Sequence, residues 1–159
     1  MADGILTKNI TLYYSTTAAT TPDNTPKGNW NWSGKTAVSS MFSFPAPRGT
    51  RDAISVTNLS CDSQISIPGL RNNGDRLTFE VYYEGNDSGD NWTKLNTLAN
   101  GNVAGFALEF PATHTTNKVI YFFEGIADVT MQGGGVNEAI KCTLDIFLQS
   151  DIDMQTSFT

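Results

Sequence analysis

Leu77-Thr78-Phe79-Glu80-Val81-Tyr82-Tyr83-Glu84 decides the fold of this 159-residue chain. Leu77, Phe79, Val81 and Tyr83 fall on one side of an extended backbone, and Thr78, Glu80, Tyr82 and Glu84 on the other. That period of two belongs to a half-buried β-strand. The alternation returns at Phe106, Leu108 and Phe110, closed by Pro111, and over Val119–Met131, where Gly125 offers a bend. It returns again at Ile140, Cys142, Leu144, Ile146 and Leu148, set among the polar Lys141, Thr143, Asp145 and Gln149. Upstream, residues 10–14 predict another strand. Trp30 and Trp32 open an extended segment that residues 38–44 continue, and residues 54–57 form a short alternating piece. One stretch breaks the period: Trp92, Leu95, Leu98 and Ala99 share a helical face. They predict a helix over 91–100 whose packing residues are Trp92, Leu95 and Leu98, started by Asp90 or Asn91 and stopped at Asn100-Gly101.

Composition agrees with a mainly β chain. Ser, Thr and Asn make up more than a quarter of the residues and there are 14 glycines, which favours strands and turns over helices. Charged residues are only 16% and the net charge is −6, with a sequence pI near 4.5. Such a chain is repelled by phosphate rather than built to hold it. The length fits one domain over residues 1–159. Its expected architecture is a two-sheet β-sandwich or barrel with one short flanking helix, a long central loop over 58–76, an N-terminal arm over 1–8 and a polar C-terminal arm over 150–159. Both arms are expected to order only against neighbours, having little to bury alone. Neither a basic leader nor an apolar run of membrane-spanning length is readable, so the expectation is a soluble protein made in a cytoplasm, with its Asn-x-Ser/Thr sites unmodified.

Several short motifs keep a definite order: Val56-Thr-Asn-Leu59, then Ile67-Pro-Gly-Leu70, then the TFEVYYE strand after Gly74-Asp-Arg76. Trp92 and Leu95 follow on the helix, then Phe106-Ala-Leu-Glu-Phe-Pro111, Phe123-Glu-Gly125, and Gly135-Val-Asn-Glu-Ala-Ile140 before the closing strand. In this order and spacing, from about Ile54 to Gln149, the chain resembles the major tail tube proteins of long-tailed, non-contractile bacteriophages. The resemblance implies the tail tube fold, with six copies in a ring, inner sheets joined into one barrel, and rings stacked into a tube that carries DNA into the host. It also implies a virion protein assembled in the bacterial cytoplasm, with no catalysis, no cofactor and no membrane. Its partners would be itself, tail tip or initiator and terminator proteins, a tape measure protein in the lumen, and DNA in transit.

The polar strand faces give this expectation residues. Glu80, Glu84, Glu124, Asp128 and Asp145 would line the channel, where carboxylates repel a passing phosphate backbone and a basic lining would hold it; alternatively they cover the solvent side of a monomer. The 58–76 segment is too long for a simple hairpin loop, and loops of that length are usually functional or disordered. By resemblance it reaches the neighbouring ring, with Ile65, Ile67 and Leu70 as apolar anchors and Arg71 at the rim; alternatively it folds on its own subunit. Residues 44–51 could share that role.

Catalytic and metal chemistry find little support. His114, the one histidine, sits in a Thr/Asn turn, and no nucleophile elbow, zinc-protease or phosphate-loop motif is present. Cys61 lacks a readable base, and Cys142 falls in an apolar row as a small hydrophobe. Asp87 and Asp90 lack calcium-loop spacing. Two rival functions remain. One is a carbohydrate-binding sandwich using Trp30, Trp32 and Trp92, with Tyr13 and Tyr14 beside them. The other is a tube subunit of a phage-derived particle.

Overall fold

The computed structural model describes residues 10–58, 60, 62–74, 76–112 and 118–159. The strands are β1 (Thr11–Ser15), β2 (Thr36–Ala37), β3 (Met41–Ser43), β4 (Arg51–Ser55), β5 (Ser66–Arg71), β6 (Arg76–Tyr82), β7 (Val103–Phe110), β8 (Val119–Met131), β9 (Lys141–Leu148) and β10 (Asp153–Gln155); the helix α1 is Asn91–Leu98. Eight strands form one antiparallel sheet in the order β2-β1-β7-β8-β9-β6-β3, with β10 added along β8, while β4 and β5 stand apart as a two-stranded hairpin. The mainly β architecture with a single short helix is therefore the one observed, realised as a sheet curled into a half-barrel.

The period of two explains the burial. On one face Leu77, Phe79 and Val81 of β6, Cys142, Leu144 and Ile146 of β9, Phe123 and Ala127 of β8, Phe106 and Leu108 of β7, and Leu12 of β1 close into one core with Leu95 and Leu98 of α1. Each of the larger of these side chains stabilises the fold by about 1.5–3 kcal/mol through burial alone. Strand β8 is long because it serves three neighbours: Val119–Ile126 pair with β7 along one edge, and Ile120–Phe122 pair with β10 and Gly125–Met131 with β9 along the other. At the changeover a Cβ on Gly125 would meet the Ile146 side chain and come within 2.8 Å of the Phe147 carbonyl oxygen, so the bend expected there is a site of close approach.

The helix ends two residues earlier than its sequence pattern suggests, at Leu98, with Ala99 N–H bonded to Leu95 O (2.9 Å) and Gly101 at φ +83° beyond it. Asp90 occupies the N-cap position without capping through its side chain; its carboxylate instead accepts the Asp87 N–H at 3.0 Å. Residues 30–44 are less extended than the alternation implies. Trp30 makes an isolated bridge to Ala18, Trp32 lies in a 3-10 turn, and only β2 and β3 are strand. Ile140 is half exposed, so the inner row of β9 begins at Cys142.

Two expected segments differ more. The 58–76 loop is not irregular: its second half is β5, which pairs back onto β4. The 150–159 arm folds onto its own chain. β10 pairs Asp153 with Phe122 and Gln155 with Ile120, Ile152 is buried in the core, and Phe158 packs on the opposite face. It orders without neighbours because Ile152 and Phe158 supply apolar contacts that are too widely spaced in sequence to show a period.

Candidate assembly surfaces

On the face away from the core, β6, β9 and the second half of β8 present a polar field. Thr78 lies opposite Asp145, which lies opposite Asp128; Glu80 lies opposite Thr143, which lies opposite Thr130. Thr78 Oγ1 donates to Asp145 Oδ1 at 2.7 Å, and Gln132 Nε2 donates to Thr143 Oγ1 (2.6 Å) and Glu80 Oε1 (3.2 Å). Arg76 reaches Asp145 at 3.9 Å from the edge. Directly opposed carboxylates such as Asp128 and Asp145 cost a cross-strand pair stability.

The structure thus brings Glu80, Asp128 and Asp145 together and separates Glu84 and Glu124 from them. Glu124 shares the face but is covered: its Oε1 accepts from Asn29 Nδ2 (2.8 Å) and from Trp30 Nε1 (3.0 Å). Glu124 therefore anchors the long 16–29 loop and does not line an open surface. Glu84 lies past the end of β6, where Ser40 and Ser39 hydroxyls donate to its carboxylate. The Ser40 bond foremost holds its carboxyl below the usual range, with the Ser39 bond adding to it and burial opposing. Period two could not distinguish these cases because the covering residues come from a loop with no pattern of its own.

The hairpin is the least buried part of the described fold. Ile54 pairs with Ile67, and the Val56 N–H bonds to Ile65 O at 2.9 Å, so Ile54, Val56, Ile65 and Ile67 line one face. Each remains between 43% and 50% exposed. Nearer the root, Gly69 and Leu70 of β5 oppose Asp52 alone, a bulge that leaves Leu70 at 92% exposure. Pro68 is tolerated because neither strand has an outer neighbour. Arg71 sits at the root, opposite Arg51. An isolated two-stranded hairpin is marginal in water.

The tryptophans do not share a platform. Trp32 is 6% exposed and packs edge-on to Phe122 (5.2 Å between centroids), its Nε1 donating to Lys27 O at 2.7 Å. Trp30 packs against Gly105, where a Cβ would stand 2.5 Å from the indole. Phe158 closes this group against Tyr13, Phe122 and Trp32, with Lys35 Nζ 4.5 Å above its ring. Beside them is an open cleft of about 820 Å³. Trp92 is on the other side of the sheet, at the edge of the core beside Tyr83, while Leu95 and Leu98 are fully buried.

Sequence reasoning offered Asn91 only as a start for the helix and missed its other role. It is buried, its Oδ1 accepts the Glu84 N–H at 3.2 Å, and its Nδ2 donates to Tyr82 O, tying the helix start to the end of β6. Cys142 is buried, which pushes its thiol pKa up. His114, Cys61 and the 1–8 arm lie outside the described residues. Among the described residues no helix is long and apolar enough to cross a membrane.

The sequence matches no protein-family model and no characterised protein. Its fold does have a counterpart. A chain in the six-fold symmetrised cryo-EM structure of the anti-feeding prophage baseplate superposes with a TM-score of 0.57 and 11% sequence identity, the match covering 98% of this chain and 97% of that one. At that identity the likeness is one of fold, and it runs nearly end to end in both chains.

Proposed function

We propose that the chain is a structural subunit of a phage-type tail particle, and that its activity is to assemble with copies of itself into hexameric rings stacked as a tube. The observation that carries this is the β4–β5 hairpin. It projects a four-residue aliphatic ridge that its own subunit leaves half exposed, on an arm with no core beneath it. A second copy covering Ile54, Val56, Ile65 and Ile67 removes that surface from water and rigidifies the arm. The end-to-end likeness of fold to a chain of a phage-like baseplate supports the same class of role. In this reading Glu80, Asp128 and Asp145 face the bore, where their charge keeps passing DNA from adhering. Initiator, terminator and tape measure proteins would meet the tube at its ends and in its lumen, and assembly would take place in the host cytoplasm before the particle is complete. The tube of a phage-derived particle uses the same surfaces, so both versions of the role share this test.

The test is negative-stain microscopy and sedimentation of the purified chain beside Ile54→Ser/Ile67→Ser. The wild type forms rings or tubes; the variant stays folded by circular dichroism and fails to stack. Tubes indistinguishable from wild type would remove the ridge from the interface. A carbohydrate module would instead remain monomeric and be retained by polysaccharide.

A further inference from the structure

Charge is unevenly spread along β6, with arginines outnumbering the nearby Asp52 and Asp151 at one end. The chain has four arginines, at 48, 51, 71 and 76, and all gather where β6 begins. Arg48, Arg51 and Arg71 surround a cavity of about 330 Å³ with Leu70, Asn73, Asp151 and Ile152. Arg51 and Arg71 are direct cross-strand partners, a like-charge pairing that destabilises a hairpin standing alone. Each spends one nitrogen on a backbone carbonyl: Arg51 on Gly69 O (3.2 Å), Arg71 on Gly49 O (3.1 Å) and Arg48 on Ile152 O (3.0 Å). Arg48 Nε is buried with no hydrogen-bond partner. Among the described residues none of these three forms an ion pair, although Asp151 lines the same cavity.

The other end of β6, about 20 Å away at the strand rise, is acidic. Glu84, Asp87 and Asp90 occupy the turn before α1. The pairing of Tyr82 with Lys141, and the Tyr83 N–H bond to Ile140 O, bring the β8–β9 loop with Glu138 to the same end. Lys94 and Lys141 are the bases there, the latter held over the Phe42 ring at 5.5 Å.

We propose that copies meet head to tail, with the arginine root of one (Arg48, Arg51, Arg71) seated on the carboxylate end (Glu84, Asp87, Asp90, Glu138) of the next. The proposal rests on the self-assembly reading and adds to it the residues that give the stack its polarity. The occupant is a second copy because the complementary charge is on this same chain at the opposite pole. Joining unlike ends gives a heterologous contact that repeats without closing, which is what a stack requires. Complementary charge fixes orientation and speeds encounter, and rejects the reversed approach of two arginine roots.

The test uses two full-length variants, Arg51→Glu/Arg71→Glu and Asp87→Arg/Glu138→Arg, all at exposed positions, mixed or alone and scored by pelleting and microscopy. Each alone is expected to lower the stacked fraction more than about tenfold, since like charges across an interface cost several kcal/mol. An equimolar mixture is expected to restore stacking, because each reversed pole then meets its complement. Wild-type stacking that falls with added salt supports the same contact. Unaltered stacking by either variant alone, or a mixture that stays dispersed, overturns the pole pairing while leaving self-assembly intact. A wild-type chain that remains monomeric overturns the assembly reading itself, and this proposal with it.

Discussion

Glu124 shows how one side chain changes meaning with its surroundings. In sequence it is an outward carboxylate on an alternating strand; in the structure it is the acceptor that holds Asn29 and Trp30. Removing it strands two donors beneath the loop. Glu124→Ala is expected to cost about 1 kcal/mol, since the two donors it leaves unpaired are only half-buried, with Glu124→Gln costing less because its amide oxygen still accepts. Chemical denaturation followed by tryptophan fluorescence measures both, and equal stability of Glu124→Ala and wild type would show that the loop is anchored elsewhere. Asn91 carries the opposite lesson. Its residue type suits a cap, and nothing in the sequence says that its amide bridges β6 to the helix, because that role depends on where Tyr82 and Glu84 end up.

Elements with one buried face were legible and elements with two exposed faces were not. β6, β7, β8 and β9 declare themselves because a core on one side and solvent or a covering loop on the other impose alternation. Of the β4–β5 hairpin only the alternating end of β4 was legible, because both of its faces are exposed and a Pro-Gly pair sits inside β5. The tail escaped for a different reason: its anchors, Ile152 and Phe158, are six residues apart on opposite faces of the sheet. Phe158 touches Tyr13, Trp32 and Phe122 and lies under Lys35. Phe158→Ala should therefore loosen the tail and lower stability by about 1–2 kcal/mol, less than a fully buried phenylalanine because the ring is partly exposed. Faster amide exchange over β10 than in wild type is the accompanying signature, and unchanged exchange there would mean that Ile152 alone secures the segment.

At the scale of the whole molecule, the curled sheet puts its apolar cluster on one face and splits the other into a covered half under Trp30, Trp32 and Phe158 and an open half around Glu80, Asp128 and Asp145. Which candidate acids share the open half followed from register, which a single strand's pattern does not contain. If that half faces the bore, Glu80→Lys/Asp145→Lys should leave assembled tubes intact and depress DNA delivery by at least about tenfold, because each added cation on the lining gains phosphate contacts and releases counterions. Infectivity or delivery assays on particles built from the variant decide this; undiminished delivery would place the acids elsewhere.

The order of the sheet also governs when the chain can finish folding. β1 pairs with β7 roughly ninety residues later, and β6 waits for β9 some sixty residues downstream. Contacts that distant close slowly and late. On the ribosome, β1 meets β2 and then β7 as these emerge, whereas β6 lacks its partner along one edge until β9 has been translated. Until then one edge of β6 stays open to any stray strand, so translation of β9 is the step that seals the sheet.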